Sequence, residues 1–335
     1  MTRLPRSAGG RAAFGVGGLV LAVLTALGPA DAQPTPRVPT VGFVGQPTDP
    51  SEARFQDGFV RGLHDLGYVP GQTLQLDVRS YTSRDQVQGA LEELVRRKVD
   101  VIFVGQPFLA VAARRVTREI PIVCGSCGDP IENGLAVSLA SPAGNVTGLA
   151  SLSAELIGKR LELMKELFPG ISRHAVFVFP GNPGIRATSR ALDAAGRNLG
   201  LEIQRVEIRG QGDFEGAFRS AARGGAGVLV LQDDPLLRPA AARVAALALK
   251  HRLPVSTGVL EVVEAGALMS YGPDRVDLYR RAAGFVDRIL KGARPADLPW
   301  EQATKLSLVL NLKTARALGV MVPQPFVLRA DRIIE

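Results

Sequence analysis

Short apolar runs ending in a glycine- or proline-bearing loop, each followed by a stretch with apolar residues at helical spacing, succeed one another along most of this chain. The first run, TVGFV at 40–44, stops at Gly45-Gln46-Pro47; over 51–66, Phe55, Phe59, Leu63 and Leu66 then recur three or four residues apart until Gly67. A continuous apolar run this short suits a strand buried on both faces, as in a parallel sheet. The unit then repeats. An extended segment at 74–79 and a helix over 85–97 lead to a strand at 99–104, which leaves through Gly105-Gln106-Pro107. A helix over 109–117 and a strand at 120–124 follow, leaving through Gly128-Asp129-Pro130.

From residue 155 the rhythm restarts. Helices are expected over 155–167, 186–199, 214–222 and 239–251, and strands at 175–179, 202–208, 228–231 and 254–257. Alternation of this kind specifies parallel sheets covered by helices on both faces, and two such series in succession give two doubly wound α/β lobes. Ligands of open α/β sheets sit beyond the carboxyl ends of the strands. The informative residues are therefore those that follow each strand.

The beginning of the chain reads differently. Residues 1–11 hold three arginines and no acid, 12–27 hold no charge, and Ala30-Asp31-Ala32 places small residues at both recognition positions of a cleavage site. This is the plan of a secretory signal peptide over 1–32, with the mature chain starting at Gln33. The 16 uncharged residues fall short of the roughly 20 that span a bilayer. The processed protein is expected to be periplasmic and not membrane-spanning. Of 335 residues 303 would remain, with 46% of the whole chain hydrophobic, which is enough for two full-sized cores.

The net charge of +8 falls to +6 without the leader, and the basic residues are dispersed among acidic ones. Arg96-Arg97-Lys98 and Arg114-Arg115 are the longest basic runs and read as solvated helix faces, so no nucleic-acid partner is expected. Three histidines, spread over positions 64, 174 and 251, give no basis for a metal or hydrolytic centre. Nucleophile-elbow, phosphate-loop and zinc-helix motifs are all absent, so neither an enzyme nor a cofactor is expected. Asp233-Asp234 could serve as paired carboxylates, but a cleft rim or a cap before Pro235 explains them more simply. Cys124-Gly125-Ser126-Cys127 leaves three readings open: a local disulfide, two reduced thiols, or a redox pair.

A resemblance rests on several segments taken in order. These are Phe55-Gln56-Asp57-Gly58-Phe59 running on to Leu66-Gly67-Tyr68-Val69-Pro70-Gly71-Gln72, and Ile120-Pro121-Ile122-Val123 with Gly128-Asp129-Pro130. Leu139-Ala140-Ser141-Pro142-Ala143-Gly144-Asn145-Val146-Thr147-Gly148 and Gly158-Lys159-Arg160-Leu161 follow. Later come Glu264-Ala265-Gly266-Ala267-Leu268-Met269-Ser270-Tyr271-Gly272, Leu290-Lys291-Gly292 and Asn311-Leu312-Lys313-Thr314-Ala315. Over 40–335 the chain resembles the ABC-transporter substrate-binding family that includes tryptophan-binding receptors, whose fold is that of type I periplasmic binding proteins.

The resemblance implies a hinge of three crossings, near Gly148, Met269-Ser270-Tyr271 and Trp300-Glu301. Lobe 1 would then comprise 38–148 plus 270–299, and lobe 2 would comprise 149–269 plus 300–335. It also implies a monomeric receptor for a small-molecule ligand, working with an inner-membrane ABC permease. A sensory receptor of the same fold and, more remotely, a secreted α/β enzyme are the alternatives. The strand-end rule nominates Gln46, Gln106 and Asp129 from the first lobe, Asn182, Asp233 and Thr257 from the second, and Tyr271 at a crossing. Their donors, acceptors and one amphipathic ring suit a small polar or aromatic ligand. Two departures bear on specificity. Gln106 stands where relatives often carry a small hydroxyl residue, and Pro180-Gly181-Asn182-Pro183-Gly184 replaces the serine- or threonine-rich segment that grips an amino acid in tryptophan-type members.

Overall fold

Five parallel strands open the fold: Thr40–Gly45 (β1), Gln75–Ser80 (β2), Val101–Val104 (β3), Ile122–Cys124 (β4) and Val146–Ala150 (β5). The structure is a computed structural model and describes residues 37–46, 51–142 and 144–335; the expected leader over 1–32 lies outside them. Helices Glu52–Asp65 (α1), Val87–Arg96 (α2) and Pro107–Val116 (α3) connect the strands. After Ser153–Leu167 (α4) a second set begins: Arg173–Val178 (β6), Glu202–Glu207 (β7), Val228–Leu231 (β8), Val255–Thr257 (β9) and Met269–Pro273 (β10). Ile185–Leu199 (α5), Phe214–Arg223 (α6), Ala241–Lys250 (α7) and Leu260–Glu264 (α8) join these strands. Arg275–Leu290 (α9), Glu301–Gln302 (β11), Leu306–Asn311 (β12), Leu312–Leu318 (α10), Gln324–Val327 (α11) and Arg332–Ile334 (β13) complete the chain.

The strand orders are β11-β5-β4-β3-β1-β2 and β13-β12-β10-β9-β8-β6-β7. The chain therefore passes between sheets three times: after β5, between β10 and α9, and between β11 and β12. These passages fall a few residues beyond the positions expected near 148, 270 and 300. The second sheet departs from the all-parallel expectation at one pair. β12 runs antiparallel to β10, with Tyr271 opposite Leu308, because it re-enters from the other lobe.

The central strands of each sheet are buried on both faces, which is why they read as unbroken apolar runs, whereas the edge strands β2 and β7 are half-exposed and mixed in polarity. In the first lobe α1 and α9 cover one face, where Phe59 stacks on Phe103 at 4.1 Å and Phe103 on Phe43 at 5.2 Å. α2 and α3 cover the other face with Leu91, Leu94, Leu109 and Ala113. In the second lobe α6, α7 and α8 pack on one face, and α4 and α5 on the other. At Gly148 in β5 the backbone has φ +145°, and a Cβ there would strike the Cys124 carbonyl of β4. Only glycine lets the two backbones approach so closely.

Candidate ligand-binding site

The strand ends of both sheets face a common cavity of about 60 Å³. From the first lobe Gln106, Ser126, Asp129 and Asn133 line it, with Arg275 from the first turn of α9. From the second lobe come Asn182, Thr188, Gln232, Asp233, Asp234 and Arg238. Four of the seven nominated residues thus meet at one place: Gln106, Asp129, Asn182 and Asp233. The other three do not line it. Gln46 turns toward the Tyr81 hydroxyl beyond β2, at 3.5 Å. Thr257 is fully buried, and its hydroxyl accepts the Val259 N–H at 3.1 Å. Tyr271 lies on the face of β10 that packs against the α4–α5 core.

The second-lobe wall is held by its own hydrogen bonds. Asn182 donates to the Asp233 carbonyl and the Asp234 carboxylate, each at 3.0 Å, and accepts from Gly184 N–H at 2.9 Å. Gln232 accepts from Phe179 N–H and donates to the Thr188 hydroxyl, tying β8 to the loop after β6 and to α5. Asp234 accepts the Leu236 N–H at 3.0 Å and so caps the short turn at Pro235–Leu237. Burial raises its pKa above the ordinary carboxylate range, against the Leu236 and Asn182 hydrogen bonds and the Arg84 and Arg238 charges that lower it. Asp233 is committed as well. Its Oδ2 accepts Arg160 Nη2 at 2.9 Å, and its Oδ1 accepts Gly258 N–H at 3.0 Å. A side chain at 258 would collide with both partners, so that pairing requires glycine.

On the first-lobe wall, polar groups remain open. Arg275 donates through Nη1 to the Ser126 hydroxyl at 3.2 Å, while its buried Nε has no partner. Burial, and then the nearby Arg238 cation, pull this guanidinium down to about 10, and it stays charged at neutral pH. Asn133 donates to the Cys127 carbonyl at 2.8 Å and leaves a buried Oδ1 without a partner. Asp129 instead caps its own turn, its Oδ1 accepting Ile131 and Glu132 N–H. A disulfide joins Cys124 and Cys127, both fully buried, so this motif fixes the loop that presents Ser126 and leaves no exposed thiol. An unfilled cationic donor and an unfilled amide acceptor on one wall can bind a solute bearing both an anionic group and hydrogen-bond donors.

Arg275, Ser126, Asn133 and Arg238 were not nominated from the sequence. Arg275 did carry a signal: a cation in the first turn of a helix opposes the helix dipole, which favours a different task for it. Among the described residues, no helix is long and apolar enough to cross a membrane, and no cluster of His, Cys, Asp or Glu could hold a metal ion.

Residues 43–334 match the family model described as ABC transporter substrate binding protein. Among curated proteins, the chain is 27% identical over 272 residues to a tyrosine-binding protein of Clostridioides difficile (strain R20291), covering 81% of this chain and 78% of that one. Among solved structures, an ABC domain in complex with L-Trp from Streptococcus pneumonia superposes with a TM-score of 0.82 at 21% identity, over 88% of this chain and 99% of that one. The ligand-free, open structure of a substrate binding protein with adhesive properties from Clostridium difficile gives 0.66 at 23% identity, over 89% and 99%. The type I periplasmic binding protein fold is thereby shown.

Proposed function

This chain belongs to the ABC transporter substrate-binding protein family, and from that premise we propose that it is an extracytoplasmic receptor. It captures a small polar or aromatic solute between its lobes and delivers it to an inner-membrane ABC permease. The observation that carries this reading is the cavity shared by both sheets, with Arg275 Nε and Asn133 Oδ1 unpaired at its wall. A solute that touches Gln106 or Arg275 on one side and Thr188 or Asp234 on the other binds the closed arrangement better than the open one. That difference is what drives closure.

A free amino acid fits this chemistry: its carboxylate pairs with Arg275 and its ammonium finds the amide and carboxylate oxygens opposite. The likeness to a tyrosine-binding protein supports the same class. A cavity of about 60 Å³ has the room of about two liquid waters, which matches the polar head of such a solute. The leader over 1–32 supports export and processing to a periplasmic protein.

The test is a thermal-shift screen of amino acids, aromatic acids and purines, with mass spectrometry of whatever co-purifies. A ligand at a hundred times its Kd stabilises the native state by about 2.7 kcal/mol and raises Tm. The reading is overturned if no compound shifts Tm and the purified protein carries nothing. N-terminal sequencing of periplasmic protein should begin at Gln33.

A further inference from the structure

Three arginines outside the cavity tie one lobe to the other. Arg54 of α1 reaches across to α8, 3.1 Å from Glu261 and 3.3 Å from Glu264. Arg84, in the turn before α2, donates to the Gly181 carbonyl at 3.3 Å and stands 3.9 Å from Asp234, while stacking over Phe108 of its own lobe. Arg190 of α5 pairs with Glu132 in the turn after β4. Two of these bridges fasten a loop that lines the cavity: Glu132 follows Asp129, and Gly181 and Asp234 flank Asn182 and Asp233. The third closes the gap between α1 and α8, beside Arg238 of the cavity wall, which itself stacks over Phe55.

We infer that Arg54, Arg84 and Arg190 are closure residues, which hold the lobes together without touching the ligand and make closure depend on ionic strength. The arginine side chains are 47%, 47% and 63% exposed, so salt reaches each cation, although Glu261 and Asp234 are themselves covered. An exposed ion pair shifts an equilibrium by up to about fivefold, and three together shift it by about three- to a hundredfold. Such a factor is minor for global stability. It is comparable, however, to the ratio between two lobe arrangements that differ by a few kcal/mol. Removing the bridges also weakens ligand binding, because apparent affinity scales with the fraction of the binding-competent form.

The affinity consequence rests on capture between the lobes, but the closure claim can be tested without any ligand. Small-angle scattering of the ligand-free protein is measured from about 0.01 M to about 1 M salt, over which the Debye length falls from about 30 Å to about 3 Å. The wild-type radius of gyration is expected to grow with salt. The variant Arg54→Gln/Arg84→Gln/Arg190→Gln should already be expanded at low salt and respond little to more. Exchanging charges in Glu132→Arg/Arg190→Glu should keep the compact form at low salt, whereas Arg190→Glu alone loses it; circular dichroism and Tm confirm that each variant is folded. A radius independent of salt, or a triple variant identical to wild type at every salt, overturns the inference. Salt-independent dimensions combined with ligand-induced shrinkage would leave the receptor reading intact, and a failed ligand screen would leave the scattering result standing.

Discussion

Arg160 and Asp233 form a buried ion pair, 2.9 Å from Nη2 to Oδ2, at the base of the second-lobe cavity wall. The guanidinium also donates through Nε to the Tyr271 carbonyl at 2.8 Å, linking α4, the end of β8 and the crossing strand β10. A buried pair of this kind matters most when it is broken, because the surviving charge stays in a medium that solvates it poorly. Arg160→Met should cost about 3–5 kcal/mol of stability by urea denaturation, and adding Asp233→Asn should recover part of the loss. If the single and double variants unfold at the same urea concentration, the two side chains are not coupled.

Ligand affinity should respond to the open side of the cavity and not to the residues turned away from it. Gln106→Ala is expected to weaken binding by about 1 kcal/mol, and Arg275→Gln by about 2 kcal/mol where a charged hydrogen bond is lost. Asn182→Ala should weaken it by loosening the loops that Asn182 joins. Tyr271→Phe and Thr257→Val should leave it unchanged, since one side chain packs in the core and the other serves Val259. Calorimetry with the compound found by the screen checks all five, and an effect at Tyr271 equal to that at Arg275 would misplace the site.

Acid should destabilise the second lobe through His174. This imidazole is fully buried on β6, and desolvation, then the Lys165 charge, bring its pKa down to about 4 from 6.5, against a backbone hydrogen bond at Ile171 that raises it. The unfolded chain then binds more protons between pH 6.5 and about pH 4, so stability falls as pH drops through that window. The loss reaches about 3 kcal/mol at its lower end. In His174→Phe this part of the pH dependence should vanish from thermal melts taken between those limits.

The Cys124–Cys127 bridge should stabilise modestly, because the loop that it closes is short. With a sequence separation of 3, loop-closure entropy gives roughly 2 kcal/mol. Both residues are fully buried, so a thiol reagent added with reductant should label them only in denaturant. Cys124→Ala/Cys127→Ala should lower Tm and weaken ligand binding through Ser126. Rapid labelling of the native reduced protein would contradict the packing described.

Where sequence and structure agree, the cause is periodicity. Phe55, Phe59 and Leu63 line one side of α1 because the helix repeat puts them there, and the unbroken run 101–104 is a strand covered on both faces. The strand-end rule brings Gln106, Asp129, Asn182 and Asp233 to one cavity because it concerns sheet direction alone. Thr257 and Tyr271 also sit at strand ends but turn away from that cavity, because what counts there is which face a side chain takes. Successive strand residues point to opposite faces, so Tyr271 joins the core while its neighbour Ser270 lines a separate cleft beside Arg54. Arg275 escaped notice because it follows a crossing instead of a strand end, and Asn133 because the turn over 129–134 has no periodicity to read. The short elements α8, α10, α11 and β13 were unread for the same reason: 3 to 7 residues hold too few repeats.

The triple passage between sheets has a consequence for how the chain can be made. The first lobe lacks its α9 cover and its edge strand β11 until residue 302 has emerged, by which point nearly the whole chain is out. Neither lobe can mature while the other waits, so biogenesis cannot proceed one lobe at a time as it does for tandem domains. A fragment ending at Ala150 would leave Phe55, Phe59 and Leu63 facing water where Ala282, Phe285 and Val286 should lie, and should aggregate. A ribosome-bound nascent chain would therefore stay pliable until α9 and β11 have both emerged.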